Sequence, residues 1–150
     1  MAQKRKAKKS TQIEYRHILI SELTWKFSYS FLSAEDCISG FPYTVITVVS
    51  AEGKATRGDM LGISKVKLSF YPKELRKPVG QETAAVGVAY QKPDFTEFVL
   101  FMPTADFRSI LPLANSGWIK YVDVGFASFK RKIAVAHSVG FKSFIAEDDW

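Results

Sequence analysis

The sequence contains almost no cysteine or histidine, and this scarcity narrows the chemistry that the chain can perform. Its 150 residues include one cysteine, Cys37, and two histidines, His17 and His137. A lone cysteine excludes an internal disulfide framework and is typical of a reducing compartment. Three scattered residues make no recognisable zinc site, and a nucleophile–base pair built on Cys37 is a minor alternative. We therefore expect no metal and no cofactor.

Signals of catalysis, secretion and membrane insertion are missing as well. Neither common phosphate-binding glycine loop is present, and no pair of carboxylates stands out as an acid and a base. No apolar run approaches the roughly 18 residues of a membrane span, and no apolar leader segment follows the basic N-terminus. We expect a non-enzymatic, soluble protein that is cytoplasmic, or nuclear if its source is eukaryotic.

Positive charge is abundant and is concentrated near the N-terminus. The formal net charge is +6, and outside residues 4–9 the chain has 16 basic and 15 acidic residues. Segment 1–11 has nothing apolar to bury, so we expect a disordered basic arm that tethers phosphates without reading bases. A solubilising tail and a nuclear address are the alternatives. The cations of the arm are Lys4, Arg5, Lys6, Lys8 and Lys9.

Alternation of apolar and polar residues predicts strands through most of the chain. The clearest is Ile63–Tyr71, where an apolar series alternates with lysine and serine. Ile13–Ile20 also alternates, and we interpret its apolar set, which includes His17, as facing the core. His137 has similar neighbours and the same interpretation. Turns are predicted at 52–54, 57–59 and 92–94.

Only Thr104–Ala114 has helical spacing, and Pro112 is expected to shorten or break that helix. The whole pattern predicts an all-β, mainly antiparallel domain over residues 12–146. Its architecture would be a β-sandwich or a partly open barrel of about eight strands, with one short helix near 104–114. Residues 147–150 would form a short acidic tail.

The segment Thr24–Phe31 places four aromatic residues at every second position: Trp25, Phe27, Tyr29 and Phe31. Because the alternate positions are polar, we interpret the aromatic side as buried in the core, where each large ring contributes about 1.5–3 kcal/mol. A base-stacking surface and a dimer interface are the alternatives.

Basic residues also cluster in turns and on one predicted strand. If these clusters converge, they would line one nucleic-acid-binding edge; if they scatter, they serve only to keep loops hydrated. Convergence depends on strand order, which the sequence does not reveal. The candidate contacts are Lys65, Lys67, Lys73, Arg76, Lys77, Lys130, Arg131 and Lys132.

The C-terminal residues Ala146–Trp150 place three acids before a final aromatic. This ending resembles the acidic tips of bacterial and phage single-stranded-DNA-binding proteins, a resemblance that implies docking of partner proteins. It covers the last five residues only, and the long Gly/Gln/Pro-rich linker of that family is missing. The alternatives are local packing of Trp150 and pairing of the acids with the basic arm.

These observations favour a non-enzymatic binding protein that associates with nucleic acid or a nucleoprotein complex. The alternative is a small protein-interaction module, either an assembly subunit or an inhibitor of a macromolecule. That module would act through strand edges and loops, its arm would bind an acidic protein partner, and it could form an oligomer.

Overall fold

The computed structural model describes residues 12–31, 43–56, 58, 60–73, 85–114 and 116–144. For residues 24–31, 43–47 and 114 it describes the backbone alone. Within these ranges the chain forms strands β1 (Ile13–Phe31), β2 (Tyr43–Ala55), β3 (Lys65–Pro72), β4 (Gly87–Gln91) and β5 (Thr96–Met102), helix α1 (Thr104–Ala114), and strands β6 (Tyr121–Ala127) and β7 (Ile133–Lys142).

The seven strands close into a single mixed barrel in the order β1-β2-β3-β5-β4-β7-β6. Closure depends on the length of β1, which pairs with β6 over residues 13–19 and with β2 from Ile18 onward. Neighbouring strands are antiparallel except β3 and β5, which are parallel. The expected all-β class with one short helix is confirmed. The sandwich and the partly open barrel are not confirmed, and the described part of the chain has seven strands rather than eight.

Aromatic side chains fill the interior of the barrel. Phe70, Phe98 and Phe126 are fully buried. Phe98 meets Phe126 edge-on at 5.6 Å between ring centroids, and Phe70 lies 5.1 Å from Phe141. Edge-to-face geometry adds about 0.5–1.5 kcal/mol per pair beyond the burial itself. The alternation predicted for β3 is confirmed, since it buries every second residue.

Helix α1 covers one end of the barrel. We call this end, which also includes residues 116–120, the helix end. The helix buries Phe107 and Ile110, and it has the predicted bounds. The break expected at Pro112 does not occur, since the helix continues to Ala114. Pro112 removes only its own donor, the one that would bond to the Arg108 carbonyl, and the helix ends two residues later.

The opposite end of the barrel, which we call the turn end, is formed by the start of β1 and by three connections. These connections are residues 56–64, 92–95 and 128–132. The last two are short antiparallel hairpin connections, β4 to β5 and β6 to β7. The charged residues that the structure describes in these connections therefore meet at the same end.

The prediction of which side chains of Ile13–Ile20 face the core is wrong. Tyr15 is 66% exposed and Leu19 is 45% exposed, whereas Ile18 is fully buried. His17 lies on the outer face with them, so it is not a core residue. The other alternating series, which includes Ile18, faces the interior because Ile18 packs with the buried residues of the neighbouring strand β6.

The interpretation of His137 as a core residue is also wrong. Phe126 pairs with Ala136 while Gly125 pairs with Ser138, so His137 is the extra residue of a β-bulge. It is half-buried. A bulge changes which residues face inward, and period-two alternation alone does not reveal it.

The turn predicted at 52–54 is likewise wrong, because β2 continues to Ala55. Gly53 lies within the strand, where a Cβ atom would collide with the carbonyl oxygen of Leu19. The backbones approach closely here, beside the register shift between Ile20 and Glu22. Glycine in a strand can mark such an approach as well as a turn.

Candidate nucleic-acid interface

Several predicted contacts fall outside the described residues. The five cations of the arm, Arg76 and Lys77 belong to this group, as do Cys37 and the acidic tail. The side chains of the aromatic segment Thr24–Phe31 are also outside it. Whether those rings are buried or exposed therefore stays a prediction.

The remaining predicted cations divide between the two ends of the barrel. Lys65 and Lys67 lie on β3 near the turn end, and the 130–132 cluster forms the β6–β7 turn at that same end. Lys73 does not join them. It follows β3 at the helix end, where its ammonium group lies 4.9 Å from the Phe101 ring centroid.

Sequence reasoning left three further cations of the turn end out of the predicted contacts. Arg16 and Lys54 lie near the turn-end termini of β1 and β2, and Lys92 lies in the β4–β5 turn. Lys54 lies in segment 52–54, which the sequence predicts to be a turn, and its place beside β3 becomes visible only with the pairing register.

The described residues of the two ends differ in charge. At the turn end eight cations stand against Glu14, Glu52, Asp94 and Glu97. At the helix end the structure describes four cations (Lys73, Arg108, Lys120 and Lys142) and three acids (Glu22, Asp106 and Asp123), of which Glu22 pairs in register with Glu52 of the turn end. The eight turn-end cations are Arg16, Lys54, Lys65, Lys67, Lys92, Lys130, Arg131 and Lys132.

Local acids engage only some of the turn-end cations. Lys67 lies 3.6 Å from Glu52, Lys92 lies 3.9 Å from Glu97, and Arg16 lies 4.0 Å from Glu14. The other five are exposed and form no ion pair with any described residue. They are Lys54, Lys65, Lys130, Arg131 and Lys132.

Two of these unpaired cations oppose each other directly across neighbouring strands. Lys54 of β2 pairs in register with Lys65 of β3. Like charges in this position destabilise an antiparallel pair. They line a surface groove of about 390 Å³ together with Leu19, Ser21 and Glu52. An anion bound between the two ammonium groups would relieve their repulsion.

The β6–β7 turn has an unfavourable backbone for its residues. The amide of Lys130 donates to the Ile133 carbonyl at 2.8 Å, and the reverse bond is 3.1 Å. The two central residues, Arg131 and Lys132, have φ of 50° and 68°. Such two-residue turns strongly prefer Asn-Gly, because left-handed backbone costs other residues about 1–2 kcal/mol each. Two long cations are kept where a neutral pair would be more stable.

A separate charged cluster lies on the outer face of β1, β6 and β7. His17 Nδ1 is 2.6 Å from Asp123 Oδ1, and Lys142 Nζ is 2.7 Å from Asp123 Oδ2. One half-buried carboxylate thus connects three strands. The carboxylate of Asp123 offsets the positive charge of Lys142. This cluster therefore adds no net positive charge to the surface.

The described residues contain no cluster of three or more side chains suited to hold a metal ion. No helix among them is long and apolar enough to cross a membrane. In comparisons with known proteins no family model matches the chain, and no significant match is found among curated proteins or solved structures. What the turn end does must therefore be inferred from its own residues.

Proposed function

We propose that this protein is a non-enzymatic nucleic-acid-binding protein that holds a phosphate backbone against the turn end of the barrel. The arm, residues 1–11, precedes β1, whose first residue lies at that end, so it would act as an additional tether. Lysine and arginine that contact phosphates release counterions, which makes such binding strongly salt-dependent and largely independent of base sequence.

The observation that carries this proposal is the gathering at one end of exposed cations from three separate parts of the chain, none of which forms an ion pair with a described residue. Two of them oppose each other across β2 and β3, and two sit on an unfavourable backbone. Both features cost stability. Each is understandable if an anionic polymer binds there.

The experiment is a salt titration of oligonucleotide binding, measured by fluorescence anisotropy. The logarithm of the association constant is expected to fall linearly with the logarithm of the salt concentration. Replacing the five arm cations with glutamine should reduce that slope. Failure of the wild-type protein to bind single-stranded or duplex oligonucleotides at roughly 50 mM salt would exclude the proposal.

A second candidate is the interaction module that acts through strand edges. β1 and β2 continue as a two-stranded extension, Lys26–Phe31 with Tyr43–Val48, beyond their pairing with other described strands. Such a ribbon has two backbone edges on which another strand can pair. This candidate predicts a stoichiometric protein partner that remains bound after nuclease treatment; loss of every partner on nuclease treatment would count against it.

A further inference from the structure

An exposed aromatic ring lies on the outer face near the turn end. Tyr15 projects from β1 and is 66% exposed. The ring lies over Gly125 of β6, which pairs in register with Tyr15. A Cβ atom at Gly125 would lie 2.8 Å from Tyr15 Cε1, so a larger residue at position 125 would displace the ring from this place. The ring is thus held against the sheet while most of it faces solvent.

The backbone of Tyr15 is held as well. Arg16 Nη1 donates a hydrogen bond of 2.8 Å to the Tyr15 carbonyl. On the other side, the hydroxyl of Ser138 occupies the space next to Gly125. The backbone of Tyr15 is thus fixed within the sheet, and its ring lies over Gly125.

A mainly apolar groove of about 640 Å³ is lined by residues of β1, β7 and the β6–β7 connection, and Ile13 connects it along β1 to Tyr15. Ile133 and Val135 form its exposed apolar wall, and Ile13, two residues before Tyr15, closes it on the β1 side. Lys130 and Ser128 provide its polar rim. The groove therefore leads from the basic β6–β7 turn toward the ring.

Tyr15 is flanked by cations on both sides around the barrel. The β6–β7 turn with Lys130, Arg131 and Lys132 lies on one side, and Lys54 with Lys65 lies on the other, across β2 and β3. From β7 to β3 by way of β1 there are four strand spacings, about 19 Å in total. Around the barrel, cations are thus followed by the apolar groove, the aromatic ring and further cations. This order suits a polymer that has a negatively charged backbone and carries planar bases.

We propose that the turn end binds single-stranded nucleic acid, with a base stacked on Tyr15 and the neighbouring base or sugar in the groove of Ile13, Ile133 and Val135. This inference rests on the proposed function and specifies its substrate. The faces of duplex bases are already stacked on one another, so a ring lying on the flank of a sheet reaches a base face only in an unpaired strand.

The test compares binding of a single-stranded oligonucleotide of about 10 nucleotides, within the usual range of site sizes, with binding of a blunt duplex. Tyr15→Leu keeps an apolar side chain over Gly125 but removes the aromatic face. Its single-strand affinity should fall roughly 5- to 150-fold. Tyr15→Phe should bind almost as the wild type does.

Trp118 provides the matched control, because it is an exposed aromatic residue at the helix end, 48% exposed. Trp118→Leu should leave affinity unchanged. Thermal unfolding of each variant shows whether it is folded. A crosslink from a strand carrying photoreactive halogenated uracil, mapped by mass spectrometry, needs no variant and is expected on Tyr15.

The outcomes separate the two proposals. Single-strand preference, a Tyr15→Leu loss and a Tyr15 crosslink would support the inference. If the wild type binds oligonucleotides but prefers the duplex, this inference is wrong while the proposed function stands. The same conclusion follows if Tyr15→Leu binds the single strand as tightly as the wild type does. If the wild type binds neither oligonucleotide, both are wrong.

Discussion

At the helix end, apolar side chains of α1 close the barrel, and the described charges are four cations and three acids; at the turn end, the described strand ends and connections carry eight cations and four acids. The helix end buries Phe107 and Ile110, which stabilises the fold through removal of apolar surface from water. The turn end keeps Lys54 opposite Lys65 and two cations in left-handed backbone, both of which cost stability. We interpret the helix end as a structural cap and propose the turn end as the binding surface.

This difference explains where substitutions should act. Changes at the helix end should alter stability and leave binding alone, because its residues are engaged with one another. Changes at the turn end should weaken binding while leaving stability equal or improved, since function and stability favour different residues there. The following predictions test this division, from the largest effect to the smallest.

Truncation of Phe107 to alanine should give the largest change in stability. The ring is almost completely buried between α1 and the barrel, so its loss should lower the free energy of unfolding by about 3–5 kcal/mol. Urea denaturation monitored by tryptophan fluorescence measures it. The salt slope of oligonucleotide binding, taken below the unfolding transition, should not change; a changed slope would show that the helix end takes part in binding.

Neutralising the β6–β7 turn should have the largest effect on binding. With Lys130, Arg131 and Lys132 replaced by serine, the salt slope for a single strand should fall by about 2, since each phosphate contact contributes roughly 0.7. The matched control replaces Lys73, Arg108 and Lys120 of the helix end with serine. Equal losses in both triple variants would show that only total charge matters.

Replacing Arg131-Lys132 with Asn-Gly should separate stability from binding. The new pair suits the observed backbone, so unfolding free energy should rise by about 1–2 kcal/mol, because only the glycine escapes the full left-handed cost, while two phosphate contacts are lost. Thermal unfolding and anisotropy measure the two effects. A variant that is no more stable than the wild type would contradict the strain assigned to this turn.

Reversing one charge of the β2–β3 pair should give the smallest effect. Lys54→Glu turns a repulsive pair into an attractive one with Lys65, so stability should rise by about 0.2–1 kcal/mol. The same change should reduce the salt slope by about 1. Lys120→Glu is the control at the helix end, and an equal slope reduction there would remove any special role for Lys54.

Much of the fold could be predicted where one pattern dominates locally. The helix was predicted with the correct bounds, because apolar spacing and a clear end signal agree there. The inner face of β3 was predicted because its two alternating sets differ sharply in polarity. The inner face of β1 could not be predicted, because large side chains occur in both alternating series of its residues. Which series is buried depends on which one packs with β6.

The candidate site depends on information that one sequence does not contain. The basic turns meet because β4 lies between β5 and β7 and because β3 runs parallel to β5, neither of which local patterns predict. Tyr15 was missed for a related reason. Its role depends on a glycine more than 100 positions away, and that pairing is visible only from the register of β1 with β6.

The most direct test of the division between the two ends is an amide chemical-shift map during titration with a single-stranded oligonucleotide. The largest shifts are expected at residues 13–16, in the 130–135 segment and at Lys54 and Lys65, with little change in α1 and residues 116–120. Shifts concentrated in α1 and residues 116–120, or no shifts at low salt, would contradict the account.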